Sequence, residues 1–240
     1  MANVWARDRA GDFYLSIAVV GLAAIAIGFS TTYFLPMYRR TLDVPAVTHL
    51  HGALMLSWVI LVTAQTLLVR GRQTPIHRRI GLAGLPIAAM MLVSGLTVAF
   101  WAARRDFPSD GPVAASRIIG VVTTLSTFVA LVTLAILWRR WPDWHKRLIL
   151  LATIVILWPA WFRFRHLMPW VPRPDISFSY IVAFLPLVIA GVRDKVKYGA
   201  VHPVWLYFGT AVLIEQGWES YAFDSPAWRA AGMWIFRTFA

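Results

Sequence analysis

The stretch from residue 50 to residue 69 reads LHGALMLSWVILVTAQTLLV, twenty residues without an Asp, Glu, Lys or Arg. As a helix rising about 1.5 Å per residue it is about 30 Å long, the thickness of the hydrocarbon core of a bilayer. Arg70 and Arg72 close it on one side. Outward from it, further apolar runs cover residues 13–35, 80–103, 118–138, 148–162, 176–192 and 203–222. The run over 148–162 is short for a span and is expected to continue through Arg163 towards Met168. The sequence thus predicts an all-α fold, a polytopic transmembrane helix bundle of seven spans, with six as the alternative. The junctions are too short to hold another domain, so residues 1–240 read as a single integral membrane domain.

Composition agrees. Hydrophobic residues make up 59% of the chain, above the roughly 45–50% usual for soluble domains. There is no cysteine, which excludes disulfides, iron–sulfur clusters, thiolate metal sites and covalently attached c-type haem. The net charge of +12 comes from basic residues clustered between apolar runs. Such clusters meet anionic lipid headgroups, so membrane lipids rather than nucleic acid are the expected partners. The first apolar run, about 23 residues, is too long for the roughly 7–15-residue core of a signal peptide and reads as the first span.

Thirteen of the 23 Lys and Arg fall on the side of the N-terminus, Arg7 and Arg9 among them, and His77-Arg78-Arg79 and His145-Lys146-Arg147 concentrate them at span ends. That bias places the N-terminus in the cytoplasm and the C-terminus in the periplasm of a bacterial inner membrane. Trp101, Trp138, Trp141, Trp144, Trp161, Trp170 and Trp218 stand near span ends as interfacial anchors. Small residues four apart, Ala24/Gly28, Gly84/Ala88 and Gly95/Ala99, allow close helix packing. Ser225-Pro226 forms a helix start, and residues 226–240 read as an interfacial amphipathic helix.

Polar side chains inside spans are costly and therefore informative. Arg163 and Glu215 lie at matched depth in the fifth and seventh spans, which predicts a buried ion pair. His51, Trp58 and Gln65, seven apart, share a stripe on the second span; it suits either a cofactor slot or a packing seam. His49 and His51 could chelate a metal if the backbone were extended there, but no carboxylate lies nearby in sequence, and no metal is assigned. With Arg163, His166, Glu215 and Gln216 they mark the favoured site on the periplasmic side. His77, His145 and His202 open the third, fifth and seventh spans, either as a headgroup-facing cluster or as axial ligands of a haem.

The arrangement His51…Gln65…Arg70…His77-Arg78…Gly81, with His145-Lys146-Arg147 followed by Leu150-Leu151-Ala152, resembles a bacterial family of multi-pass membrane proteins of unknown function over roughly residues 47–165. It is distantly similar to the two-haem cytochromes b. The leading expectation is a membrane redox or electron-transfer protein binding b-type haem or quinone, with His51 and His166, or His77 and His145, as ligand pairs and Trp58 and Gln65 lining the site. The other is a non-catalytic subunit or assembly factor of a larger membrane complex. No Gly-x-Ser-x-Gly elbow, phosphate-binding loop or His-Glu-x-x-His is present, so enzyme status stays open.

Overall fold

The computed structural model describes residues 11–239, and these contain helices and no strand. Arg7 and Arg9, counted in the charge bias, lie outside the described residues. The principal helices are α1 (Gly11–Gly28), α2 (Leu35–Tyr38), α3 (Ala46–Arg70), α4 (Thr74–Gly81), α5 (Gly84–Asp110), α6 (Pro112–Leu137) and α7 (Pro142–Ile156). They continue with α8 (Trp158–Phe162), α9 (Pro174–Ile176), α10 (Ala183–Tyr198), α11 (Thr210–Ala222) and α12 (Pro226–Phe239). Short π-helical stretches lie at Ser30–Phe34, Ser177–Val182 and Val204–Gly209. The first two precede Pro36 and Pro186, whose missing N–H loosens the preceding turn.

Five helical units are long and apolar enough to cross a membrane: Ala46–Arg70, Thr74–Asp110, Pro112–Leu137, Pro142–His166 and Pro174–Tyr198. A sixth exists if the halves Asp12–Gly28 and Ser30–Tyr38, bent by 43°, count as one. The stretch over 204–222 is helical as expected, but Glu215, Gln216 and Glu219 make it too polar to qualify by composition. The structure therefore supports five or six spans by length and apolarity.

α7 is the hub. Leu148 and every residue from Leu150 to Leu157 are buried, so beyond its charged first turns this helix is packed on all sides, as a central element must be. It meets α6, α10 and the π stretch at Val204–Gly209, while Trp58 of α3 donates to Thr153 Oγ1 at 3.1 Å. A Cβ on Gly28 would run into the carbonyl of Ala160; glycine there lets α1 lie against α8, the close approach expected from the Ala24/Gly28 pair. α12 starts at the expected cap, Trp228 N–H donating to Ser225 Oγ at 3.3 Å. It packs on α6, where a Cβ on Gly232 would come within 2.8 Å of Ser116, and Phe236 stacks on Phe107 of α5 at 5.0 Å.

Candidate functional site

Because successive helices alternate in direction, polar side chains gather at two ends of the bundle. At one, the basic end, lie the residue 70–74, 137–142 and 198–204 junctions; at the other, the distal end, lie residues 29–46, 110–112 and 163–174.

The basic end is built around Arg147. Its Nε and one terminal nitrogen donate to the two oxygens of Asp194, at 2.8 and 3.1 Å, and the other nitrogen donates to the Asp143 carbonyl at 3.0 Å. Trp205 Nε1 and Arg193 donate to the same carboxylate at 2.8 and 3.2 Å. Arg147 is 0% and Asp194 1% exposed. The sequence reading placed Arg147 with the headgroup-facing charges; helix phase instead turns it inward, onto a partner 47 residues away.

Beside it, His202 accepts the Val204 backbone N–H on Nδ1 at 3.1 Å. That bond leaves the proton on Nε2, which points at Asp143 Oδ2 at 3.4 Å, so the ring is neutral and a donor. Burial, and then the Arg147 guanidinium, push its pKa down to about 4.

His77 of α4 and His145 of α7 come together, ring centroids 6.4 Å apart and planes perpendicular. His145 Nδ1 donates to the Ala135 carbonyl at 2.8 Å. With the Gln65 amide oxygen accepting from Gly81 N–H at 2.9 Å, its nitrogen donates to the His77 carbonyl at 3.0 Å and to Nδ1 of the His77 ring. This amide orientation satisfies both partners, and it puts the His77 proton on Nε2. The residues of the expected stripe have three destinations: α5 for His51, α6 and α7 for Trp58, α4 for Gln65. Trp58 also meets Phe128 edge-on at 4.8 Å.

At the distal end, α3 has already begun at Ala46, so His49 and His51 stand about 200° apart around it. The extended backbone a His-x-His chelate needs is absent. His49 Nδ1 forms a 2.6 Å bond with the Tyr33 hydroxyl. His51 Nδ1 meets Ser94 Oγ at 3.1 Å, and that hydroxyl gives its own proton to the Met90 carbonyl at 2.6 Å; His51 is therefore the donor. The hydroxyl oxygens of Thr32 and Thr48, neighbours of Tyr33 and His49 in the chain, are buried without a hydrogen-bond partner among the described residues.

Arg163 and Glu215, expected to pair, take different partners. The helix tightens into a 3₁₀ turn at Arg163–His166, which frees the Pro159 carbonyl to accept the Arg163 side chain at 2.8 Å. The guanidinium lies 4.0 Å over the Phe29 ring. Glu215 accepts from Gln216 at 2.6 Å. Its companion is Glu219, one turn later, which accepts from Thr123 Oγ1 at 3.0 Å and lies against Gly120 of α6. His166 belongs to the 3₁₀ turn, which packs on α1 and α8, whereas His51 faces α5; the structure does not bring those two together.

Sequence reasoning missed Asp143, Asp194, Tyr33 and Glu219. Only the four-residue spacings Asp143/Arg147 and Glu215/Glu219 offered a signal.

A haem held by His77 and His145 finds part of its chemistry here. His145 offers a free Nε2, and a ring nitrogen anchored on a carbonyl is the usual outer support of a metal-ligating histidine. His77 does not fit, because the nitrogen not bonded to Gln65 carries the proton. The hollows at Pro112/Asp224/Met233 and at Pro75/Ile76/Leu82 are open surface clefts. No group of three or more His, Asp or Glu suited to a metal occurs among the described residues. Compared with family models, curated proteins and solved structures, the chain matches none.

Proposed function

We propose that the chain is an integral membrane redox protein that binds a lipid-soluble quinone at its distal end. The observation that carries this is the short Tyr33–His49 bond; the hydroxyls of the preceding residues, Thr32 and Thr48, are buried without a hydrogen-bond partner among the described residues. A quinone presents carbonyl oxygens that accept hydrogen bonds, and it takes up protons when reduced to quinol. A phenol–imidazole pair donates and exchanges such protons, and the threonine hydroxyls are donors whose burial is costly until something accepts from them. Phe34, Leu35 and Met37, all exposed, give the site an apolar approach from lipid.

In this reading the helix over 204–222 is a seventh pass, tolerated because Gln216, Thr123 and α6 cover its carboxylates. The basic end faces the cytoplasm of a bacterial inner membrane and the distal end the periplasm.

Titration of the purified chain in detergent with a short-chain ubiquinone, followed by quenching of tryptophan fluorescence, is expected to saturate. Tyr33→Phe and His49→Gln each weaken binding about tenfold, or about 1.4 kcal/mol, the worth of one hydrogen bond. Quenching that never saturates, or that is unchanged in both variants, removes the quinone. The exposed rings of Trp170, Trp218, Tyr221 and Trp234 support a second reading, a subunit that docks on a larger membrane complex through aromatic anchors. Solubilisation in mild detergent decides it, since a chain that always isolates alone has no such partner.

A further inference from the structure

α4 carries a surface that neither end of the bundle uses. His77 turns inward to Gln65 and His145, while Arg78 and Arg79, in the last turn of α4, are exposed. Neither guanidinium has an acidic or hydrogen-bonding partner among the described residues. Between them and the chain lies an open cleft of about 520 Å³ lined by Pro75, Ile76, Arg78, Arg79 and Leu82. Its walls are unusual for a surface that carries two cations. Ile76 is 42% and Leu82 67% exposed, and large apolar side chains standing open beside arginines match neither water nor the middle of a bilayer.

They do match the boundary between the two. α4 runs into α5 as one unit, Thr74–Asp110, and the exposed apolar residues continue along it as Leu82, Leu85 and Val93. This row starts beside the guanidiniums and descends into the span. Two adjacent arginines at headgroup level, with an apolar track leading away from them, complement a molecule with an anionic phosphate at one end and acyl chains at the other. Free phosphate would use the arginines and leave the track empty.

We propose that this cleft binds one anionic phospholipid, its phosphate held by Arg78 and Arg79 and its acyl chains lying over Leu82 and the exposed side of α5. The bound lipid covers the outer face of α4 and so holds His77 against Gln65 and His145. This site is independent of the distal quinone site.

The test measures thermal stabilisation of the detergent-purified chain by short-chain phosphatidylglycerol, with phosphatidylcholine and inorganic phosphate as separate arms. Phosphatidylglycerol is expected to raise Tm saturably, and the other two to leave it unchanged. The double variant R78Q/R79Q weakens the half-saturating phosphatidylglycerol concentration about tenfold or more, as expected for lost charge-assisted hydrogen bonds. R139Q/R140Q, which removes the same charge from another junction at the same end, changes it less than about twofold. Leu82→Asn weakens the lipid response without creating one to phosphate. An equal response to inorganic phosphate overturns the lipid in favour of a bare anion. Equal losses in the two double variants overturn the cleft in favour of diffuse surface charge.

Discussion

The two ends of this bundle treat their buried arginines in opposite ways. At the basic end the Arg147 guanidinium is bonded to Asp194 and to the Asp143 carbonyl, and the Asp194 carboxylate also receives Trp205 and Arg193. At the distal end Arg163 rests on a carbonyl and an aromatic face, and among the described residues it meets no carboxylate and the Thr32 and Thr48 hydroxyls have no hydrogen-bond partner. A saturated network fixes α7, α10 and the stretch at Val204–Gly209 in one arrangement and has little left to offer a ligand. An unsaturated one holds less tightly and keeps donors in reserve. The contrast fits holding at one end and, under the proposed function, binding at the other.

The largest test of that contrast is at Asp194. Asp194→Ala leaves Arg147 buried without its counter-charge and is expected to cost about 3–5 kcal/mol, whereas Arg147→Met combined with Asp194→Leu recovers much of the loss. Unfolding in detergent reads both. A single-variant loss below about 1 kcal/mol would mean that the basic end is not the clamp.

Next in size is a pH effect from His202. Its folded pKa of about 4 lies below the usual value near 6.5, so between those values the unfolded chain binds the extra proton. Stability is complete above pH 6.5 and is lost as the pH falls towards 4, by on the order of 1–2 kcal/mol after allowance for solvent screening. Asp143, Asp194, Arg147 and Trp144 surround the ring, so the comparison is made against His202→Gln, which should flatten the Tm profile in that window. An identical profile in the variant would separate His202 from the clamp.

The smallest effect has the opposite sign. Thr32→Val and Thr48→Val remove hydroxyls that the folded chain leaves unpaired, and each is expected to be neutral or to stabilise by up to about 1 kcal/mol. Under the proposed function the same changes are expected to weaken quinone binding. A clear loss of stability in either variant would show that the distal hydroxyls are bonded after all, and the two ends would then be alike.

Much of the architecture was legible in the sequence. The run over 50–69 became Ala46–Arg70, and Ser225-Pro226 did open a helix, because apolar periodicity and caps are local properties. The pairing of His77 with His145 was within reach for the same reason, each sitting at a helix start beside like charges. Which way a charge faces is not local. Arg147 and Lys146 are neighbours in one triplet, yet Lys146 lies 5.6 Å over Tyr14 of α1 while Arg147 enters the core. The difference is one step of helix rotation, decided by where Asp194 sits. Tyr33 was hidden for another reason: the π turn and the 43° bend after Gly28 break the phase by which a face is read. Arg163 and Glu215 were matched in depth only, and depth says nothing about azimuth.

The separation of Arg147 from Asp194 also has a meaning in time. The chain is made from its N-terminus at about 5–20 residues per second, so the 47 residues between them correspond to a wait of roughly 2–10 s. During that interval α7 is present and Asp194 is not. Near a helix end an arginine side chain can reach back to the headgroups, which keeps the guanidinium solvated until its carboxylate is made. The closing of the clamp on α7 then becomes a late event in synthesis, timed by the arrival of α10.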